Sequence, residues 1–520
     1  MSELELLAIA PQIILSAAIV MQLFMIAVKR SINMIQLFTL GSIIIAATSI
    51  YLVLPALNTQ ATILFYFDGF SLGINLLIFA SAAVVTIVSN RYLRTGIEVH
   101  DEFYVLLLLA TLGASILVIA NHFASVFLGL ELLSISLIAM VCYLRERSQS
   151  LEAAMKYLIL SATASSVLLL GMAFIYAYSG DLTFNYINTA VNTVTSEQPR
   201  ILFLVGSVLI LCGFAFKLSL APFHFWTPDV YQGAPAPVTM FLATVSKLSM
   251  FAVLVKFWFI AEQFKQQQLL TVITIIAIAS MLVGNLLALK QRNLKRLLAY
   301  SSIAHMGYLL IILKVTAIES LQLAWESALF YLMAYTFSTL LLFTFLGQVS
   351  NANKASDVDD MDNLRGFFWQ NPMQASCLMV AILSLAGIPL TAGFIGKFYL
   401  LSTAVVNDAW VLLSALVVGS AIALYYYLTI IFVMFDKHAS KASSESNSPN
   451  SSYTSNSANT SNSASDSSIE SAKDSPKPIF KLHAIPHILM VTLGITLLLF
   501  GIVPDIISEE VRIFALSKFG

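Results

Sequence analysis

AFKLSLAPFHFWTPDVYQGAPAPVTMFLATVSK, residues 215–247, links two long apolar runs and places Lys217 and Lys247 inside them. A charged side chain at the centre of a bilayer costs about 2.5 to 3.5 kcal/mol, so these lysines require a reason to be there. The rest of the chain is equally apolar: 58% of its 520 residues are hydrophobic, only 11% are charged, and the mean hydropathy is +0.85. This composition excludes an ordinary soluble domain and predicts a membrane protein.

Apolar runs of roughly 18 to 22 residues, each long enough to cross a bilayer as a helix, recur along the sequence. They predict an all-α polytopic membrane protein with about fourteen transmembrane helices. The predicted spans are 6–27, 35–54, 70–89, 103–120, 123–143, 157–178, 201–221, 237–259, 270–289, 298–314, 325–347, 373–403, 408–435 and 485–504.

Basic residues are unevenly shared between the loops that connect these spans. Eighteen of the 27 lysines and arginines fall in odd-numbered loops, whereas six fall in even-numbered loops or in the tails. Because cytoplasmic loops hold the excess of basic residues, the odd loops are expected in the cytoplasm and both termini on the opposite side. The acidic start Met1-Ser2-Glu3 is not typical of a cleaved signal, so the first run is expected to remain as helix one.

Residues 438–478 differ from the rest of the chain because they are rich in serine and asparagine and nearly free of large apolar side chains. Such a segment cannot bury enough surface to fold, which predicts a disordered cytoplasmic loop. A regulatory, phosphorylated loop is the alternative.

The fragment LSLA occurs twice, at 218–221 before Pro222 and at 383–386 before Gly387 and Pro389. Each proline removes a helical hydrogen bond, from the Leu218 carbonyl in one copy and from the Leu385 carbonyl in the other. The pattern predicts that helices seven and twelve are broken, as in transporters with repeated halves. Carbonyls freed in this way require a partner from protein or water.

Apart from residues within three positions of a span end, four charged residues lie inside predicted spans: Glu131, Lys217, Lys247 and Lys397. Desolvation lowers the pKa of a buried lysine and a nearby carboxylate raises it, so such a lysine can take up and release a proton. The alternative is a set of static ion pairs that hold helices together. Because one glutamate cannot neutralise three lysines, we favour proton transport.

Two histidines are further candidates. His305 has Ser301, Ser302 and Tyr308 three or four residues away on the same helical face, a spacing that fits a proton relay or a hydrogen-bonded structural histidine. His224 lies beyond the break after Lys217, and relay and loop structure remain equal alternatives for it.

The sequence indicates no redox or metal site of its own. Cys142, Cys212 and Cys377 lie far apart in apolar runs, a pattern typical of buried hydrophobes rather than metal ligands. Nucleotide-binding glycine motifs and an HExxH zinc motif are absent from the sequence. Any redox chemistry is therefore expected in partner proteins.

Long stretches carry a family resemblance: FLGLELLSIS around Glu131, the quoted residues 215–247, NLKRLLAYSSIAHMGYLL around His305, and LAGIPLTAGFIGKFYLL around Lys397. The chain resembles the antiporter-like membrane subunits of respiratory NADH:quinone oxidoreductase (complex I), which are similar to subunits of Mrp-type sodium/proton antiporters. Lysine at 397 is typical of family members that do not carry glutamate at this position, and the end of the chain soon after helix fourteen agrees with a member among these that lacks a long lateral helix.

This resemblance implies two five-helix repeats of inverted topology. The expected organisation is N-terminal helices 1–3 at 1–102, a first repeat at 103–260, a second repeat at 261–437, and helix 14 with the C-terminal tail at 479–520. The serine- and asparagine-rich loop at 438–478 departs from the compact family pattern.

The resemblance also implies roles and partners. Glu131 pairs with Lys217, and protons pass along Lys217, Lys247, His305 and Lys397. We expect FMN, iron-sulfur clusters and quinone in partner subunits and none bound by this chain. Other complex I subunits and membrane lipid are the expected partners, with no nucleic acid, in a bacterial inner membrane with both termini in the periplasm. An Mrp-type antiporter subunit and an inert membrane scaffold are the alternatives.

Overall fold

A computed structural model of the chain describes residues 3–54, 60–93, 101–193, 197–316, 321–350, 357–436 and 484–505. In these ranges thirteen helices are long and apolar enough to cross a membrane. Two shorter apolar helices, Pro372–Ala386 and Ala392–Val406, divide the predicted twelfth span between them. The all-α polytopic fold is therefore confirmed.

The helices run in the order α1 Glu3–Ala8, α2 Ala10–Ala27, α3 Ile32–Val53, α4 Gly69–Leu93, α5 Glu102–Ile119, α6 Phe123–Val141, α7 Ser148–Ser179, α8 Phe184–Thr193, α9 Glu197–Lys217, α10 Trp226–Gly233, α11 Ala236–Ala243, α12 Val245–Ile260, α13 Gln267–Ala288, α14 Leu294–Leu309, α15 Leu321–Val349, α16 Phe367–Gln370, α17 Pro372–Ala386, α18 Ala392–Val406, α19 Trp410–Phe435 and α20 Ala484–Ile502. A small antiparallel hairpin, β1 Gln60–Thr62 and β2 Phe65–Tyr66, lies between α3 and α4.

The structure differs from the predicted spans in three places. The eighth span is two helices, α11 and α12, which meet at Thr244, where φ of −110° and ψ of −77° depart from the values of a regular α-helix. The sixth span begins nine residues early, at Ser148, because polar residues there extend the helix beyond its apolar part. The short helices α8 and α10 were not predicted, since their sequences lack an apolar run.

Small residues allow the membrane helices to pack closely. A Cβ atom added to Gly129 of α6 would lie 3.0 Å from the Gly113 carbonyl of α5, and one added to Gly206 of α9 would lie 3.0 Å from the Gly171 carbonyl of α7. Helices in lipid associate through such close backbone approach, because lipid offers no hydrophobic driving force between them. The two glycine pairs therefore fix the α5–α6 and α7–α9 contacts.

A buried ionic cluster joins the loops at one end of the bundle. Asp357, after α15, accepts from Arg147 at 3.0 Å and from the Tyr92 hydroxyl at 2.5 Å, and it pairs with Lys295 of α14 at 2.7 Å. Lys295 also donates to the Ala234 carbonyl between α10 and α11 at 2.6 Å. These residues lie in or beside the connections that follow the third, fifth, seventh, ninth and eleventh predicted spans. The odd-numbered connections therefore meet at one end of the bundle, as the alternating topology predicts.

The charge of Asp357 is stable at neutral pH. Burial raises the pKa of this carboxyl, but Lys295, Tyr92 and Arg147 outweigh burial, and the net result is a pKa below its ordinary value. The stability gained from the ionised carboxyl is therefore complete above the unfolded pKa of about 3.9 and is lost as the pH falls through the folded pKa.

A second buried ion pair lies at the opposite end of the bundle. Lys256 of α12 pairs with Asp68 at 3.2 Å and donates to Ser71 Oγ at 2.9 Å and to the Val118 carbonyl at 3.2 Å. In the count of basic residues by loop, Lys256 was assigned to an even-numbered loop, whereas the structure buries it within α12. Its ionic and hydrogen-bond partners explain how a helix end accepts a buried cation.

We predict that Asp357→Ala destabilises the protein by about 3 to 5 kcal/mol, because it leaves the buried cations Arg147 and Lys295 without their anion. Thermal unfolding of the detergent-purified protein measures the loss. Asp362→Ala is the matched control, since Asp362 forms an exposed pair with Arg365. Equal midpoints for the two variants would contradict a stabilising role for the cluster.

Candidate functional site

The predicted intramembrane cations are all buried in the bundle. The exposed fractions of Lys217, Lys247 and Lys397 are 6%, 1% and 6%, and that of His305 is 3%. Within the described ranges, none of the three lysines forms an ion pair, in contrast to Lys256 and Lys295 near the ends of the bundle. This arrangement disfavours the alternative in which the central lysines are static salt bridges.

Serine hydroxyls bind both Glu131 and Lys217, which the family resemblance pairs. The Lys217 ammonium donates to Ser134 Oγ and Ser161 Oγ, both at 2.7 Å, while Ser165 Oγ donates to Glu131 Oε1 at 2.7 Å. Ser134 lies three residues after Glu131 on α6, and Ser161 lies four residues before Ser165 on α7. The two charges therefore belong to one polar layer of α6, α7 and α9.

The Lys247 ammonium binds the first helix break. It donates to the Leu218 carbonyl at 2.8 Å, which is the carbonyl that Pro222 was predicted to free. Helix α9 ends at Lys217, so this carbonyl lies at a helix C-terminus, where the backbone dipoles leave partial negative charge. A buried cation is therefore held by backbone rather than by a carboxylate.

Lys397 makes the equivalent contact at the second break. Its ammonium donates to the Ala386 carbonyl, the last of α17, at 2.8 Å. The sequence predicted a freed carbonyl at Leu385, and the structure places the lysine on the next residue. Gly387, with a φ of 79°, turns the chain at this point, and its own N–H binds the Leu383 and Ser384 carbonyls.

Both breaks contain a residue other than glycine in the left-handed backbone region. Ser219 has a φ of 64° in the first break and Leu390 has a φ of 73° in the second. Such residues cost about 1 to 3 kcal/mol each and persist only where the surroundings impose them. The two interrupted helices therefore share both a strained turn and a lysine on an adjacent carbonyl.

His305 is surrounded by tyrosines. Its Nδ1 lies 2.6 Å from the Tyr331 hydroxyl and its Nε2 lies 3.3 Å from the Tyr427 hydroxyl. Tyr308 contacts the imidazole edge-on, with 5.6 Å between ring centroids, and it also lies 5.7 Å below the Lys397 ammonium. The histidine therefore connects α14, α15 and α19 on the side that faces Lys397.

The serines predicted as partners of His305 bind tyrosines that surround the histidine. Ser301 is hydrogen-bonded to the Tyr427 hydroxyl, and Ser302 accepts from the Tyr335 hydroxyl at 2.9 Å. The sequence analysis missed Tyr331, Tyr335 and Tyr427. The sequence pattern that could have indicated them is the recurrence of tyrosine inside apolar spans. Tyr331 and Tyr335 are four residues apart, and Tyr425 to Tyr427 form a run.

A small cavity lies between His305 and Lys397. Tyr331, Tyr335, Ser338 and Ser384 are among the side chains that line it. Water in a buried site requires several polar partners, and this lining provides them. The cavity therefore offers a polar route from the imidazole to the lysine at the second break.

His224 does not join this series. Its ring stacks on Phe225 with centroids 4.5 Å apart, it is 5% exposed, and its Nδ1 has no hydrogen-bond partner. The structure thus favours a loop role for His224. Across the described part of the chain, no group of three or more histidine, cysteine, aspartate or glutamate side chains could hold a metal ion.

The buried residues can bind, hold and pass protons. Lysine and histidine have a protonated and a neutral form, and serine and tyrosine hydroxyls both donate and accept hydrogen bonds. The order along the site is the polar layer of Glu131 and Lys217, then Lys247, then His305 and Lys397. A chain of such groups across a membrane interior is typical of proton-translocating proteins.

Known proteins match most of this chain. A family model described as "NADH:quinone oxidoreductase/Mrp antiporter, TM" matches residues 120–423. NADH-quinone oxidoreductase subunit N of Methylococcus capsulatus (Bath) is 44% identical over 429 residues, which cover 82% of this chain and 86% of the relative.

Solved structures match over nearly the whole chain. A chain of respiratory complex I from Thermus thermophilus, solved with bound aureothin, is 29% identical with a TM-score of 0.75, covering 96% of this chain and 98% of that one. A chain of an archaeal membrane-bound sulfane sulfur reductase shares the fold at 20% identity, with a TM-score of 0.80, covering 99% of this chain and 98% of that one. A chain of the Mrp complex from Dietzia shares the fold at 18% identity, with a TM-score of 0.77, covering 99% of this chain and 97% of that one. The chain belongs to the NADH:quinone oxidoreductase/Mrp antiporter family of membrane proteins.

Proposed function

We propose that this chain acts as subunit N, a proton-translocating membrane subunit of respiratory NADH:quinone oxidoreductase. The 44% identity to a relative of that name supports the proposal, as does the likeness to a chain of complex I. The single observation that carries it is that Lys247 and Lys397 are held by backbone carbonyls and, within the described part of the chain, have no ion-pair partner, since such cations can change protonation without leaving an anion uncompensated.

In this proposal the chain moves protons and carries out no redox chemistry itself. A proton enters near Glu131 and Lys217, passes to Lys247, and then crosses by His305 to Lys397. Each transfer changes the charge of a lysine that binds a carbonyl at a helix break. Lys247 binds the Leu218 carbonyl and Lys397 binds the Ala386 carbonyl. Moving one charge against 100 mV costs about 2.3 kcal/mol, and reactions in partner subunits supply this energy.

The partners in this proposal are the other subunits of complex I, including its small and antiporter-like membrane subunits, together with membrane lipid. FMN, iron-sulfur clusters and quinone belong to those subunits. The chain lies in a bacterial inner membrane.

The predicted inverted repeats at 103–260 and 261–437 are consistent with the two lysine–carbonyl contacts, one in each repeat, and remain part of the proposal. The predicted disordered loop at 438–478 lies outside the described residues.

A subunit of an Mrp-type sodium/proton antiporter is the second candidate. The shared fold with the Dietzia Mrp complex supports it, but at 18% identity that likeness concerns the fold alone. The 44% identity to a quinone oxidoreductase subunit favours the first proposal.

We predict that Lys247→Ala lowers proton pumping by the assembled complex while leaving oxidation of NADH by an artificial acceptor unchanged, because the variant removes a proton-carrying group and no redox centre. Acidification of inside-out membrane vesicles measures pumping. The control is Lys290→Ala, an exposed lysine between α13 and α14. Pumping at the parent rate in Lys247→Ala would refute the proposal.

The proposed orientation is tested by labelling single cysteines in a chain whose three native cysteines are replaced by alanine. Glu146→Cys, in the loop before α7, should react with a membrane-impermeant maleimide only in inside-out vesicles. Gln268→Cys, at the start of α13, should react only in right-side-out vesicles. Both positions are exposed. The reverse pattern would place both termini in the cytoplasm.

A further inference from the structure

The interruption of the eighth membrane helix at Thr244 has a side-chain partner, as the two predicted breaks do. The Tyr335 hydroxyl of α15 lies 3.2 Å from the carbonyl oxygen of Ala243, the last residue of α11. Lys247 follows one helical turn later in the same membrane helix. Tyr335 therefore contacts the backbone of the element that holds the central lysine.

The same hydroxyl reaches the histidine cluster. It donates to Ser302 Oγ at 2.9 Å, and the Tyr335 ring lies 5.4 Å from the His305 ring, centroid to centroid. A phenol has one hydrogen to donate, so it binds the Ala243 carbonyl or the Ser302 hydroxyl at any one time. The position thus has two alternative hydrogen-bonded states, one on each side.

Tyr335 also lies between two small cavities. One is the cavity between His305 and Lys397, and the other is lined by Tyr231, Ala243 and Ser301, among others. Tyr335 and Leu385 line both cavities. Because Leu385 has no polar side-chain atom, the Tyr335 hydroxyl is the polar side chain shared by the two cavities.

Resting on the proposed function, we infer that Tyr335 passes protons between the Lys247 half and the His305–Lys397 half of the chain. A proton released by the Lys247 ammonium and carried by a water in the cavity lined by Ala243 forms a new O–H bond on the phenol oxygen. The original O–H bond breaks as its proton passes to Ser302 Oγ, and the serine releases its own hydroxyl proton toward the cavity between His305 and Lys397. One proton has then moved, the phenol is neutral again, and no electrons are transferred. Rotation of the hydroxyl about its C–O bond restores the starting state.

The test uses the intact complex in inside-out vesicles and compares pumping in four variants. Tyr335→Phe removes one oxygen atom and keeps the ring. We expect it to lose as much pumping as Lys247→Ala, with oxidation of NADH by an artificial acceptor unchanged. Thr336→Val is the matched control, because it removes the buried, unpartnered hydroxyl of the next residue on α15. It should pump at the parent rate.

The fourth variant separates proton transfer from structure. 4-Aminophenylalanine at position 335 keeps a group that donates and accepts hydrogen bonds in the place of the hydroxyl, and it should restore most of the pumping that Tyr335→Phe loses. Failure to restore pumping, or a pumping loss in Thr336→Val equal to that in Tyr335→Phe, would assign Tyr335 a structural role and overturn the inference.

The proposed function and the inference fail in different ways. Parent-level pumping by Tyr335→Phe together with a loss in Lys247→Ala would overturn the role of Tyr335 alone. Parent-level pumping by both variants would overturn proton translocation by this chain.

Discussion

A carbonyl at the end of an interrupted helix has no water to bind in the interior of a bilayer unless the protein provides a polar partner. In this chain a buried ammonium group fills that need twice, with Lys247 on Leu218 and Lys397 on Ala386. The contact also explains the lysines: the negative end of a helix dipole offsets part of the cost of burying a cation. At these two breaks the free carbonyl and the buried cation thus stabilise each other.

The frame around these contacts is held by a different kind of interaction. At one end of the bundle Asp357 pairs with Arg147 and Lys295, and at the other Asp68 pairs with Lys256. These ion pairs are fully formed and buried, so they resist a change in protonation. Among the described residues, the hydrogen bonds of the three central lysines go to oxygen atoms of backbone and hydroxyl groups. Fixed charges at the ends and changeable charges in the middle are the arrangement that a rigid proton carrier requires.

Sequence reasoning found the features that have a local cause. Hydropathy located the membrane helices, and proline and glycine located the breaks at Pro222 and at Gly387. The buried lysines stood out because a charge inside an apolar run is rare. The break at Thr244 was missed because threonine carries no such signal, and its helical neighbours give no warning of a change in direction.

Other features depend on contacts between distant parts of the chain. The pairing of Arg147 with Asp357 spans 210 residues, so no local pattern could indicate it. Tyr335 and Tyr427 read as ordinary aromatic residues of apolar helices until packing placed their hydroxyls beside Ser302 and His305. The pairing of Glu131 with Lys217 came from the family resemblance, and in this structure serine hydroxyls bind both groups.

The central claim is that Lys247 and Lys397 belong to one series along which a proton must pass. Residues that act in series have non-additive effects, because removing one member already blocks the route. The most direct measurement is proton pumping by the Lys247→Ala, Lys397→Ala and double variants in the same vesicles. The account predicts that the double variant pumps as well as either single variant. Losses that add up in the double variant would contradict it and indicate two independent routes.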